Sequence, residues 1–141
     1  MNNNLLPIKE LSFEFDNFEE FNERIRGWST KFVQVDRGLA SVTMRHRMTN
    51  DINALDLKFS HSTTTLGAPE PGRRVFGMVD KVLGCSWCGY DVTPNQILRF
   101  DVHEEFDSFT PRGFVARTLS VDEKLVASVA EQLGISGFVD Y

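Results

Sequence analysis

The sequence feature that most constrains the fold is a repeated alternation of apolar and polar residues with a period of two. One such run extends from Val42 to Met48 (VTMRHRM), and a second extends from Leu55 to His61 (LDLKFSH). Alternate side chains of a β-strand point to opposite faces, whereas a helical face repeats every 3.6 residues. Both runs therefore predict strands with one buried face.

Further strand patterns and two helical patterns complete the chain. Strands are predicted at RVFGMV, CSWCGYDV, QILRFDVH and GFVARTLSV, with turns at APEPGRR, TPNQ and TPRG. Phe18, Phe21 and Ile25 lie at helical spacing up to Trp28, after Asp16 or Asn17 as N-cap, and DEKLVASVAEQLG predicts a second helix capped by Ser120 or Asp122. This order predicts a mainly β fold, a closed β-barrel or jelly roll with one N-terminal and one C-terminal helix packed outside.

Length and charge limit the class of protein. The 141 residues, 41% of them hydrophobic and twelve of them phenylalanine, are enough for one domain, 1–141, with its own core. The net charge is -5, and the longest basic cluster is Arg73–Arg74, so we expect that this domain does not bind nucleic acid directly. With no apolar segment of about 20 residues and no basic-then-apolar leader, we expect no membrane contact and a cytoplasmic location.

The stretch GCSWCGYD contains a Cys-x-x-Cys pair, Cys85 and Cys88, a spacing found in redox sites and in zinc ribbons. A redox thiol needs a following helix, but the chain continues with glycine, β-branched residues and Pro94, which are poor helix formers. A structural zinc site needs four ligands, and no second pair of that kind occurs. We interpret the two cysteines as small, half-buried residues of a strand.

Sequence motifs for catalysis or for a metal are missing as well. Metal-binding cupins use a His-x-His pair, a glutamate and a later histidine, whereas His46, His61 and His103 are far apart in sequence. His103 is expected to face outward, and HEEF has no second histidine at metalloprotease spacing. There is no Gly-x-Ser-x-Gly pattern. We expect no metal, no cofactor and no enzymatic activity.

The alternation also predicts a ligand site. It places His46 beside Met44, and His61 beside Phe59, on faces that should point into the barrel, where imidazoles among apolar walls can orient a small ligand. Trp87 either lines the same pocket or covers its mouth. The alternative is that each histidine only satisfies a hydrogen bond in the core, because buried polar groups are usually paired for structural reasons.

The order and character of these segments resemble the N-terminal, cupin-like sensor domain of AraC-type transcription regulators. The resemblance covers Phe13 to Gly134 and rests on FEEFNERIRGW, FVQVDRGLASVTMRHRM, LDLKFSHSTTTLGAPEPGRRVFGMV, PNQILRFDV and LSVDEKLVASVAEQLG. It implies a domain that binds a small-molecule effector inside the barrel and that contacts DNA only through a separate helix-turn-helix domain, which is not present in this chain. The alternative is a stand-alone cupin-type binder or enzyme.

The resemblance also raises the question of dimerisation, since related sensor domains pair through C-terminal helices. The second predicted helix has an apolar stripe of Leu125, Val129 and Leu133. This stripe either packs against the barrel or joins two copies in a homodimer.

Overall fold

The computed structural model describes residues 8–25, 29–80, 83–100 and 104–135. Trp28 and His103 lie outside these residues. The described part contains eleven strands and two helices, in the order β1 (Lys9–Phe15), α1 (Phe18–Arg24), β2 (Ser29–Gln34), β3 (Val42–Met48), β4 (Ile52–Phe59), β5 (Thr63–Ala68), β6 (Arg73–Val79), β7 (Cys85–Trp87), β8 (Tyr90–Val92), β9 (Leu98–Phe100), β10 (Phe106–Thr110), β11 (Phe114–Asp122) and α2 (Glu123–Gln132).

The strands form two antiparallel sheets. The six-stranded sheet has the order β1-β3-β4-β11-β6-β9, and the five-stranded sheet has the order β2-β5-β10-β7-β8. Their inner faces pack on each other, as the contact between Phe32 of β2 and Phe59 of β4 shows, with ring centroids 5.6 Å apart. The predicted mainly β class is confirmed. The closed barrel is wrong, because alternation identifies the buried face of a strand but not the strand to which it hydrogen-bonds.

Some strands lie where they are predicted and others do not. Strands β3, β6 and β11 lie at their predicted segments, and β9 lies within its predicted segment, whereas β4 begins before Leu55 and ends at Phe59. The prediction did not include β1, β2, β5 and β10. In β1 the signal was available, since its Leu11, Phe13 and Phe15 alternate with polar residues.

The CSWCGYDV segment is a hairpin and not the single strand that the sequence predicted. Strands β7 and β8 pair through Cys85–Val92 and Trp87–Tyr90. Cys88 (φ 47°) and Gly89 (φ 82°) form the two-residue turn between them. Positive φ at both central residues is the geometry of the turns that match the right-handed twist of hairpin strands.

The two helices begin at side-chain caps. Asn17 accepts a hydrogen bond from the Glu20 amide at 2.8 Å, and α1 then buries Phe18 and Phe21, but it ends before Ile25 and is shorter than predicted. Asp122 caps α2, because its side chain accepts hydrogen bonds from the Lys124 and Leu125 amides. Ser120, the alternative cap, is wrong, since its hydroxyl accepts a hydrogen bond from Arg73 Nε instead. None of the helices among the described residues is long and apolar enough to cross a membrane.

Helix α2 contacts β6 and β11 of the six-stranded sheet. Its buried residue is Ala130, whereas Val129 and Leu133 are 43% and 67% exposed. At its base Arg74, which is buried, forms an ion pair with Glu123 at 3.1 Å. The apolar stripe of α2 is therefore only partly covered by the sheet.

One end of the space between the sheets is filled by phenylalanine rings. Phe21 is fully buried and contacts Phe15, Phe32 and Phe59, with ring centroids between 5.0 and 5.7 Å apart. We refer to the whole set as the phenylalanine cluster, which comprises Phe15, Phe18, Phe21, Phe32, Phe59 and Phe114. Helix α1 thus supplies the side chains that close this end.

Candidate functional site

Toward the other end, the space between the sheets contains a cavity of about 100 Å³. Both sheets contribute to its walls, with residues from nine strands and with Ile25. The six-stranded sheet supplies Leu55, Leu57, Gly77, Val79, Leu98, Ala116 and Thr118, and the five-stranded sheet supplies Thr30, Thr65, Cys85, Val92, Ser108 and Thr110.

The cavity exists because small residues occupy inward positions of neighbouring strands. Ala116 pairs in register with Leu57 and Val79, and Gly77 pairs with Thr118 and Leu98. A Cβ atom at Gly77 would lie 3.3 Å from the Phe100 ring, so only a little room remains there. A large side chain at Gly77 or Ala116 would fill part of the cavity.

Besides Phe32, Phe59 and Phe114 of the phenylalanine cluster, three more aromatic side chains line the cavity. These are Trp87, Phe100 and Phe106, and we call them the aromatic trio. The Trp87 and Phe106 rings stack with centroids 4.6 Å apart and an interplanar angle of 16°. Phe100 meets both edge-on, at 4.5 Å from Trp87 and 5.1 Å from Phe106. Both arrangements are those that aromatic pairs prefer, because they place the positive edge or an offset ring on the negative face.

The polar atoms on the wall are almost all hydroxyls, and one of them has no partner. Thr30 lines the cavity, and its Oγ1 is buried without a hydrogen-bond partner. The residue paired with it is Gly67, where a Cβ would lie only 2.5 Å from the Thr30 methyl carbon. The absence of a side chain at Gly67 is therefore what allows Thr30 to occupy this position.

The described lining residues include only two ionisable side chains. Arg117 belongs to the wall, but its side chain is 71% exposed and its Nε lies 3.7 Å from Asp56 Oδ1 on the outer face. Cys85 is buried, and burial raises the pKa of its thiol, which keeps it protonated near neutral pH. The interior of the cavity is thus uncharged.

Of the five residues predicted to bind the ligand, Phe59 and Trp87 line the cavity. Met44 is buried and pairs with Leu57, so it lies on the strand next to the cavity wall in the same sheet. His46 shares the inner face with Met44, as predicted from the alternation, and pairs with Leu55. Burial lowers the pKa of His46, so its neutral form is favoured.

His61 lies in the loop that follows β4 and not on the cavity wall. Its Nδ1 lies 2.7 Å from the Ser60 hydroxyl, whose oxygen accepts a hydrogen bond from the Ser41 amide. On the other side, a Cβ at Gly38 would lie 2.6 Å from His61 Nε2. The structure thus separates His61 from Phe59, because β4 ends before the alternation does.

Five lining residues were not predicted from the sequence: Thr30, Gly77, Ala116, Phe100 and Phe106. A signal existed for two of them, since a glycine within VFGMV and an alanine within FVARTLS are small residues inside strands, where they often mark close approach or space. No such signal existed for Thr30 and the two phenylalanines, because their meeting depends on which strands face each other.

The two cysteines differ in environment. Cys85 is buried in β7, whereas Cys88 is exposed in the turn, and neither forms a disulfide. The prediction that both are half-buried strand residues is therefore wrong for Cys88. Among the described residues, no group of three or more histidine, cysteine, aspartate or glutamate side chains is placed to hold a metal ion.

The comparisons with known proteins give no family for this chain. No protein-family model, no curated protein and no solved structure matches it. The resemblance to the sensor domains of AraC-type regulators therefore stays a prediction.

Proposed function

We propose that this chain is the effector-sensing domain of an AraC-type transcription regulator, with a cupin-like jelly roll that binds a small organic molecule between its two sheets. The observation that carries the proposal is the cavity beside the aromatic trio. Ligand pockets typically combine apolar and aromatic walls with a few placed polar groups, and this cavity has such walls together with several hydroxyls.

The proposed role is binding and not catalysis. The cavity presents no carboxylate or imidazole from the described residues, and burial raises the pKa of the Cys85 thiol on its wall, so that thiol is a poor base near neutral pH. In the proposed regulator, DNA contact belongs to a separate domain, in keeping with the net charge of -5. Dimerisation through α2 is part of the proposal and is supported by the exposure of Val129 and Leu133.

Within this proposal, the predicted ligand contacts have two different roles. Phe59 and Trp87 contact the effector. Met44 packs beside the wall, on the strand next to Leu57. His46 and His61 remain predicted ligand contacts. Neither lines the cavity, so an effector would contact them only if it were larger than the cavity or if the loop that contains His61 moved. Replacing each by alanine in the presence of an identified effector tests that part separately.

The test is a thermal-shift screen of small organic metabolites against the purified chain and against Ala116→Ile. A ligand at a hundred times its Kd stabilises the folded state by about 2.7 kcal/mol, a shift of about 5 to 10 °C for a domain of this size. The isoleucine side chain fills the cavity, so it should abolish the shift. Ala54→Ile adds the same atoms on the outer face of β4 and should keep the shift.

Two results would contradict the proposal. One is that no compound in a broad screen stabilises the chain. The other is that the shift survives in Ala116→Ile while the variant remains folded, since the ligand would then bind elsewhere.

A further inference from the structure

We infer that the ligand of the cavity is an uncharged, single-ring aromatic molecule with one hydrogen-bonding group, and that this group bonds to the Thr30 hydroxyl. The inference rests on the proposed binding function and specifies its ligand. Four properties of the cavity support it: its volume, its lack of charge, its aromatic trio and its unpartnered hydroxyl.

The volume limits the ligand to one ring. An engineered apolar cavity of about 150 Å³ in another protein binds benzene. The cavity between the sheets, at about 100 Å³, is of the same order and slightly smaller. A molecule with two fused rings would have to displace the wall, whereas a single flat ring needs only small movements of side chains.

The lack of charge excludes ionised ligands. A buried charge without a partner costs several kcal/mol, and the charged form is then replaced by the neutral one. Among the described lining residues, only Arg117 is permanently charged, and its exposed side chain lies beside Asp56. A carboxylate or an ammonium group inside the cavity would therefore have no counterion among the described residues.

The aromatic trio favours a flat, aromatic ligand over a saturated ring of similar size. Trp87, Phe100 and Phe106 already contact one another in stacked and edge-on geometry, and all three reach the cavity surface. A fourth ring can extend this arrangement, and aromatic pairs gain free energy beyond the burial of their area. A saturated ring gains only the burial.

Thr30 supplies the polar contact. A buried polar atom without a partner is costly, and in folded proteins the great majority of such atoms are satisfied. Thr30 Oγ1 is buried without a partner, and Thr30 is one of the residues that line the cavity. A ligand with one hydroxyl or carbonyl can provide the missing bond, and hydroxyls both donate and accept.

The experiment titrates the full chain with phenol, benzene, cyclohexanol and benzoate, and follows the Trp87 indole and the Ser108 amide by NMR. Phenol should bind about tenfold more tightly than benzene, since one net hydrogen bond of about 1.4 kcal/mol corresponds to a factor of ten. Phenol should also bind severalfold more tightly than cyclohexanol. Benzoate should cause no change at these residues.

Thr30→Val tests the assigned partner, because valine keeps the shape and removes the hydroxyl. In this variant phenol and benzene should bind equally, with the affinity for benzene unchanged and the melting temperature of the free chain not lowered. Thr64→Val makes the same replacement on an outward position of β5 and should retain the tenfold preference. Loss of the preference in both variants would overturn the assignment to Thr30.

The outcomes separate this inference from the proposed function. Binding of benzoate at least as tight as that of phenol, or a phenol preference that survives in Thr30→Val, overturns the inference. If none of the four compounds binds but another ligand gives a shift that Ala116→Ile abolishes, the inference is wrong and the binding function stands. If no compound of any class binds, both fail.

Discussion

The two ends of the space between the sheets are built from the same kinds of strand and differ in what fills them. At one end, α1 inserts Phe18 and Phe21 between the sheets, and these rings pack against other members of the phenylalanine cluster. On the other side of the cluster, small residues such as Gly77 and Ala116 occupy inward positions, so a cavity remains, and three rings of the cluster form part of its wall. One end is therefore suited to hold the sheets together, and the other is suited to accept a ligand.

The same difference explains why aromatic residues have two roles in this chain. In the phenylalanine cluster, Phe15, Phe18 and Phe21 contact other rings and do not line the cavity, so they act as packing, whereas the other three rings pack in the cluster and also line the cavity. In the aromatic trio the rings contact each other and also the cavity. Aromatic content alone thus does not distinguish a core from a binding site, whereas the size of the neighbouring residues does.

The largest loss of unfolding free energy is expected when a buried ring of the phenylalanine cluster is removed. Phe21→Ala removes a fully buried ring that contacts four others, and such truncations cost about 3–5 kcal/mol of unfolding free energy. Chemical denaturation followed by circular dichroism measures this loss. Leu39→Ala, at a position that is 97% exposed, serves as the control and should change stability by less than about 0.5 kcal/mol. A loss in Phe21→Ala as small as in the control would show that this end is not closed by packing.

Two glycine-to-alanine substitutions compare the loss of stability at a closely packed position, Gly67, with the loss beside the cavity, at Gly77. A Cβ at Gly67 would lie 2.3 Å from the Ser29 carbonyl oxygen and 2.5 Å from Thr30 Cα, so Gly67→Ala must move backbone and should cost about 1–3 kcal/mol. At Gly77 the nearest atom is a Phe100 ring carbon at 3.3 Å, beside the cavity. Gly77→Ala should therefore stay within about 0.5 kcal/mol of the native chain, since the ring can shift and alanine restricts the unfolded chain. Equal losses in both variants, measured by denaturant unfolding, would contradict the comparison.

The smallest expected effect is a change in the pH dependence of stability on replacing His46, which lies on the strand next to the cavity wall. Burial lowers its pKa in the folded state below the usual value of 6.5, so the unfolded chain binds a proton at a higher pH than the folded chain does. The stability that neutral His46 contributes is present above about pH 6.5 and is lost as the pH falls through the lower folded-state pKa. His46→Gln should flatten the fall in unfolding free energy below pH 6.5 and leave the value at pH 8 nearly unchanged. An unchanged pH profile would indicate that His46 has no such role.

Local sequence patterns were sufficient to predict the class of the fold and several residues of its core. The alternation in β3, β4 and β11 placed Met44, Leu57 and Phe59 on buried faces, because the period of a strand is a local property of the backbone. Helix α1 was predicted by its N-cap and by the spacing of Phe18 and Phe21 for the same reason. These features depend only on residues that are neighbours along the chain.

The division into two sheets and the cavity between them could not be predicted from local patterns. Thr30, Trp87 and Ala116 are separated by dozens of residues and meet because β2, β7 and β11 face one another across the two sheets. The alternation could not show that β4 ends before His61, since the strand stops where its pairing with β3 and β11 stops. Strand pairing depends on hydrogen bonds and packing between segments that are distant in the chain, and no local pattern of side chains records which segments those are.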